Sequence, residues 1–167
     1  MDAIVYTSNT GSTRRYAELL GEKTGKRVYS LAEAKKAVPA GAEIVYLGWL
    51  MAGSVKGYAE AKKRYKICAV CGVGMGQTGT QDESVRSKLA VPADVGVFTL
   101  QGNFEIKKLR GVYRFMMEVM SKTVGKSLAQ KPDRTREEDD MLDMMLHGGE
   151  RVKAENLQDV LSYLANR

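Results

Sequence analysis

Six residues near the start of the chain, Ser8-Asn9-Thr10-Gly11-Ser12-Thr13, gather hydroxyls, an amide and one glycine into a short stretch. The apolar run Ala3-Ile4-Val5-Tyr6 precedes them, and the helical pattern Tyr16-Ala17-Glu18-Leu19-Leu20 follows. A strand, a tight hydroxyl-rich loop and a helix, in that order, build a cradle for an anion. The first turn of the helix leaves four N–H groups without intrahelical partners, and the helix dipole places partial positive charge at the same end. A phosphate suits that position. Gly11 lets the backbone turn sharply and come close to a ligand. The loop is not a Walker sequence, because no Gly-Lys-Ser/Thr follows, and it lacks the three-glycine dinucleotide fingerprint. An ordinary Ser/Thr-rich turn with a helix cap is the competing reading of the same residues.

Other reactive side chains are few. Cys68 and Cys71 are the only cysteines, in C-x-x-C spacing. They lie within Tyr65-Lys66-Ile67-Cys68-Ala69-Val70-Cys71, which reads as a buried strand. Residues three apart on a regular strand point to opposite faces, so these two are expected to share neither a disulfide nor a metal. A thioredoxin-type pair would open a helix, and zinc needs further ligands. His147, the sole histidine, falls at the end of a helical pattern, where a charged imidazole complements the dipole. No Ser-His-Asp set, metal-ligand spacing or paired carboxylate stands out, so the sequence assigns no catalytic residue and no metal site.

The elements that must position the loop alternate. Strands are expected at 3–7, 27–30, 43–48, 65–73 and 95–100. Helices are expected at 13–24, 31–38 (ended before Pro39), 57–65 and 82–89, with Asp82 offering a cap. Near-continuous apolar strands alternating with helices argue for a parallel sheet covered on both faces. After Leu100 the pattern changes. Residues 106–128 carry apolar side chains at helical spacing up to a break at Pro132, and Glu137-Glu138-Asp139-Asp140 then leads into the Met/Leu-rich run 141–146, closed by Gly148-Gly149. A last helix is expected at 156–164.

The pattern Ser8-x-Thr10-Gly11-x-Thr13, placed between the first strand and helix, resembles the hydroxyl-rich flavin-phosphate loop of flavodoxins. Residues 1–100 are similar to that family throughout. The resemblance implies an α/β, doubly wound, five-stranded parallel sheet of order 2-1-3-4-5, here as one domain over 1–167 with a helical insert at about 101–150. It implies FMN as cofactor, with the phosphate held by Ser8, Asn9, Thr10, Gly11, Ser12 and Thr13. The flavin ring would lie between the loop after the third strand (Trp49, Leu50, Met51, Ala52, Gly53) and the loop after the fourth (Gly72, Val73, Gly74, Met75, Gly76). Trp49, the only tryptophan, could stack on the ring or pack at a strand end. The second loop departs from the family by carrying Met75 and Gln77 where an aromatic is usual. Gly74-x-Gly76-x-x-Gly79 matches a dinucleotide fingerprint by letters, but the following strand runs into Leu100-Gln101-Gly102-Asn103 without the acidic residue that motif needs.

The insert more loosely resembles the oxygen-independent, flavodoxin-like protoporphyrinogen dehydrogenases, through Lys107-Lys108-Leu109-Arg110-Gly111-Val112-Tyr113-Arg114-Phe115-Met116-Met117. Residues 105–131 hold seven Lys/Arg against Glu105 and Glu118, within a chain of net charge +6. Such a segment suits an acidic substrate, a redox partner protein or a peripheral contact with an anionic membrane. Folded back, Glu137 to Asp140 would instead neutralise Lys107, Lys108, Arg110 and Arg114. The leading expectation is an FMN-dependent electron-transfer protein. A porphyrinogen dehydrogenase and a flavin-free binding module of the same fold are the alternatives. A receiver domain is disfavoured because Ser8-Asn9-Thr10 and Leu47-Gly48-Trp49 contain no acidic residue, and no recognition-helix or stacking pattern speaks for nucleic acid. The N-terminus carries no signal-peptide pattern, which gives a cytoplasmic expectation.

Overall fold

The first hundred residues alternate as expected. In the computed structural model, which describes residues Met1–Arg167 with the side chain of Ile106 excepted, the elements are β1 (Ala3–Thr7), α1 (Ser12–Thr24), β2 (Val28–Ser30), α2 (Leu31–Ala37), β3 (Glu43–Met51), β4 (Ser54–Val55), α3 (Tyr58–Ala61), β5 (Lys66–Gly74), α4 (Asp82–Leu89) and β6 (Gly96–Gln101). They are followed by α5 (Gly111–Gln130), α6 (Arg136–His147) and α7 (Gln158–Ala165). The chain divides into two compact units, one of Met1–Gly102 with Val152–Arg167, the other of Asn103–Arg151.

The larger unit is built on a parallel sheet of order β2-β1-β3-β5-β6, with the short β4 antiparallel against β3. Leaving β4 aside, this is the flavodoxin-like order. Each strand supplies alternate residues to two core layers. Val5, Ile44, Tyr46, Val70 and Val97 pack with Leu31 and Ala34 of α2, Tyr58 and Ala61 of α3, and Val85 of α4. Ile4, Val45, Leu47, Cys71 and Leu100 pack with Tyr16, Ala17 and Leu20 of α1 and Leu157 and Val160 at α7. Each fully buried aliphatic side chain contributes about 1.5–3 kcal/mol relative to exposure.

Strand β5 breaks the expected alternation at its start. Ile44 pairs with Ile67 and Val45 with Ala69, so Cys68 is an extra residue on β5. A bulge of this kind shifts the facing of the residues around it. Cys68 therefore lies in the same core layer as Cys71, next to α1 and α7, rather than on the opposite face. The Cys68 carbonyl accepts from Arg167 Nη1 at 3.3 Å and shares the single proton of Tyr163 Oη (3.1 Å) with the Asp94 carbonyl (3.0 Å). Both thiols are free and buried.

The smaller unit is a helical hairpin in which α5 packs against α6. The expected helix over 106–128 begins later, because Arg110 is extended and Gly111 has φ 57°; a 3-10 turn covers Ile106–Lys108. Thr135 and Glu138 form a capping box at the start of α6, and Gly148 (φ 70°) ends it. The ends of the unit are tied together: Arg151 N donates to Asn103 Oδ1 at 2.6 Å, and Asn103 Nδ2 donates to Glu150 Oε1 at 3.2 Å. No helix among the described residues is long and apolar enough to cross a membrane.

Burial pushes the Cys68 and Cys71 thiols up from the usual 9.0, and pushes the Tyr46 phenol from 10.0 to about 12. Folding thus favours the neutral forms. The stability these groups contribute is complete below the unfolded-state values and is lost as pH rises past them. Urea midpoints should be insensitive to these groups below about pH 8 and fall above it. Cys68→Ala/Cys71→Ala should flatten the decline between pH 9 and 10 while leaving the part due to Tyr46; an unchanged profile would contradict the burial assigned to the thiols.

Candidate functional site

At the carboxyl end of β1 the chain turns through Ser8–Gly11 into α1. Gly11 has φ 112°, a conformation that only glycine adopts without strain, and sits at the N-cap of α1. No side chain caps this helix, and no carboxylate stands in its first turn. Helices α2 and α6, by contrast, each begin with a complete capping box. Ser12 and Thr13 are buried at the start of α1. Among the described residues, Ser8 Oγ is a buried polar atom with no hydrogen-bond partner. A buried hydroxyl without a partner forfeits about 1–3 kcal/mol.

This loop forms one wall of a cleft of about 670 Å³. Tyr6, Thr7, Ser8, Asn9, Thr10, Gly11 and Arg14 line one side, and Ser30, Leu31, Ala32, Lys35 and Glu60 the other. The volume falls within the range of small-molecule and cofactor sites. Two ion pairs flank it: Arg14 Nε holds Glu18 Oε1 at 2.8 Å, and Lys35 pairs with Glu60 across from α2 to α3.

The end of β1 is held by a small polar network. Tyr46 Oη donates to the Lys56 carbonyl at 2.8 Å, which uses its single proton. Thr7 Oγ1, at 2.7 Å, is then the donor to Tyr46 Oη. Gly57 (φ 81°) lies against both groups: an added Cβ would strike Tyr46 Oη and come within 2.6 Å of Thr7 Oγ1.

The two expected ring loops take a different form. Strand β3 continues through Trp49, Leu50 and Met51, then reverses at Ala52 (φ 49°) and Gly53 (φ 73°), and Leu50 and Met51 pair with Val55 and Ser54. Two successive positive φ values fit the two-residue hairpin turns that match strand twist. Ala52 is an unusual residue for such a turn, which is why the residue types suggested an open loop. Lys88 Nζ donates to the Ala52 carbonyl and holds the tip against α4. Gly72, Val73 and Gly74 are the last residues of β5, and Met75 and Gly76 follow in a bend. A Cβ at Gly72 would lie 2.9 Å from Leu50 Cδ2 and one at Gly74 3.1 Å from Leu50 Cδ1, so Leu50 covers both glycines. The half-buried Trp49 has the Lys56 ammonium 5.6 Å from its ring centre.

The bend after β5 is laced to β6. Gly79 N donates to Thr99 O at 2.9 Å and Gln101 N to Thr78 Oγ1 at 3.1 Å. Asp82 does not cap α4, whose N-cap is Gln81. Its Oδ1 instead accepts from both N and Oγ1 of Thr99, each at 2.7 Å.

Of the expected site residues, then, Ser8, Asn9, Thr10 and Gly11 line the cleft, whereas Ser12 and Thr13 are buried in the first turn of α1 and do not line it. Trp49, Leu50, Met51, Ala52 and Gly53 form the β3–β4 hairpin and meet the end of β5 through Leu50; none of them lines the cleft. Ser12 and Val73 do come together: a Cβ on Gly102 would stand 2.9 Å from Val73 Cγ1 and 3.2 Å from Ser12 Cβ. Sequence reasoning missed Tyr6, Arg14, Lys35 and Glu60. The capping box Ser30-Leu31-Ala32-Glu33 was a usable signal that α2 starts at the end of β2, beside the loop. His147 ends α6 with its Nδ1 2.9 Å from Asp143 Oδ1, an exposed contact that holds the Asp143 carboxyl below its usual range. No cluster of His, Cys, Asp and Glu among the described residues is arranged to hold a metal ion.

Comparisons of the chain with protein-family models, curated proteins and solved structures found no match.

The two glycines around the cleft should behave differently. Gly57→Ala combines a left-handed φ with a collision on Tyr46 and Thr7, and should cost about 2–4 kcal/mol in urea unfolding. Gly11→Ala meets nothing within 4 Å and should cost only about 1–2 kcal/mol from its φ. Equal losses would show that the Tyr46–Thr7 network is not tight.

Proposed function

We propose that the chain is an FMN-binding, flavodoxin-like redox protein that exchanges electrons with a partner protein or a small acidic substrate. The observation that carries this reading is the unpartnered Ser8 hydroxyl beside an uncapped helix N-terminus at the edge of an open cleft. A terminal monophosphate supplies acceptors for hydroxyls and N–H groups together, and the dipole of a 13-residue helix favours its charge. Ser8 and Thr10 would donate to it, with the first-turn N–H groups of α1 behind them. Arg14, on the cleft wall, adds a cation that is already oriented by Glu18.

On the ring side, the reading uses the β3–β4 hairpin and the end of β5. Leu50 already occupies the space over Gly72 and Gly74; the Trp49 indole would be the hairpin's aromatic contact to the ring, in competition with the Lys56 ammonium 5.6 Å from its centre. When bound, FMN supplies reversible one- and two-electron transfer; the chain's part is to bind it, hold it and set its surroundings. The hairpin tip, clasped by Lys88, and the bend stitched to β6 keep those surroundings fixed.

The test begins with the absorbance spectrum and extracted cofactor of the purified protein, followed by titration of apoprotein with FMN and with riboflavin, which lacks the phosphate. FMN should bind, raise the melting temperature and outcompete riboflavin. Ser8→Ala with Thr10→Val should weaken FMN binding by about 1.5–3 kcal/mol for each donor lost and leave riboflavin binding unchanged. Equal affinity of wild type and double variant for FMN, or FAD as the extracted cofactor, would overturn the assignment.

A further inference from the structure

We infer that the outer face of α5 docks the protein on an anionic phospholipid surface. Helix α5 has two apolar faces but only one cover. Met117, Met120, Val124 and Leu128 are half-buried in a helix that packs on α6, whereas no described residue of α5 is fully buried. Val112, Phe115, Met116 and Val119 lie on one stripe by their spacing, and all are exposed, Phe115 at 66% and Val112 at 64%. Contiguous apolar side chains of this size left in water mark an interaction surface.

Charge is sorted around the stripe. Lys122 and Lys126 continue it in the C-terminal direction, and Lys107 and Arg110 precede it. Among the described residues, none of these four cations makes a salt bridge. The one carboxylate on α5, Glu118, is held by Arg114 at 2.9 Å. Four of the five acidic residues of α6 are used elsewhere: Glu138 by Lys131 at 2.7 Å, Asp139 by Arg134 at 2.6 Å, and Asp140 and Asp143 by Arg151 at 3.4 and 2.8 Å. An apolar centre bracketed by free cations is what an interfacial helix presents, with the ring and aliphatic groups entering the acyl boundary and the long basic stems reaching headgroups. The helix is not apolar enough to span a bilayer, so it would lie along the surface. A second copy fits poorly. Antiparallel pairing of two such stripes sets Arg110 of one chain against Lys122 and Lys126 of the other, and parallel pairing sets each cation against itself.

This inference is independent of the flavin reading, and its test leaves that reading untouched. Full-length protein is sedimented with vesicles of phosphatidylglycerol mixed with phosphatidylcholine, and with vesicles of phosphatidylcholine alone. Binding should need phosphatidylglycerol and weaken as salt rises. Lys122→Gln/Lys126→Gln should lower the partition coefficient by roughly thirtyfold, from about 1 kcal/mol per cation near an anionic surface. Phe115→Ser/Val119→Ser, with every charge kept, should lower it more than tenfold. Circular dichroism and urea midpoint of both variants serve as fold controls. Absence of vesicle binding, or undiminished binding by the Phe115/Val119 variant, would overturn the proposal. So would a wild-type dimer that the same variant dissociates, or binding to polyglutamate as tight as to vesicles, which would reassign the face to an acidic protein.

Discussion

Over Ile44–Gly48, strand β3 is paired with β1 on one side and β5 on the other, and it is covered on both faces by helices. That double burial constrains the rest of the larger unit. A parallel neighbour can be reached only by crossing over a face of the sheet, and each crossing delivers a helix to cover it. The carboxyl ends of the strands are then where backbone can meet a ligand without breaking a core layer. Tyr46 links the two requirements. Its ring belongs to the core, while its one proton goes to the Lys56 carbonyl and its oxygen takes the proton of Thr7. The end of β1, and hence the start of the Ser8–Gly11 loop, is held by a buried phenol whose ionisation burial opposes.

From that anchor the site divides into a polar half and a packed half. In the polar half, the loop reaches α1 through Gly11 with no side chain spent on capping, and one buried hydroxyl is left over. In the packed half, β3 extends into a hairpin, and Leu50 closes over two glycines of β5. The glycines of β5 thus have a packing role, whatever else approaches them: any larger residue at Gly72 or Gly74 would displace Leu50.

The smaller unit follows different rules. Its internal ion pairs are mostly exposed, and exposed pairs contribute about 0–1 kcal/mol each. Their value lies in arrangement. The acidic residues at the start of α6 complement that helix's dipole and engage Lys131, Arg134 and Arg151. They do not take up Lys107, Arg110, Lys122 or Lys126 in salt bridges. The basic character of the insert is thus left on α5 and the turn before it.

Local chemistry by itself determined the strand–loop–helix at 3–24, the alternation that makes a parallel sheet, the stop at Pro132 and the glycine end of α6. In each case the signal is contained within a few neighbouring residues: a run of apolar side chains, a missing N–H, a residue that tolerates positive φ. The residues Ser8–Gly11, which line the cleft after β1, were legible for the same reason. What the sequence could not decide depended on partners distant in the chain. The bulge that puts Cys68 beside Cys71's layer arises from registry with β3 and is compensated by Tyr163 and Arg167. The hairpin that replaces an open loop after Gly48 rests on Lys88 and on an alanine held in a strained turn. Lys35 and Glu60 face the loop only because β2 lies next to β1 and α3 follows a hairpin. Helical spacing in 106–128 predicted an apolar face but could not say how many apolar faces would be covered, because coverage is a property of the neighbours a helix finds and not of its own period.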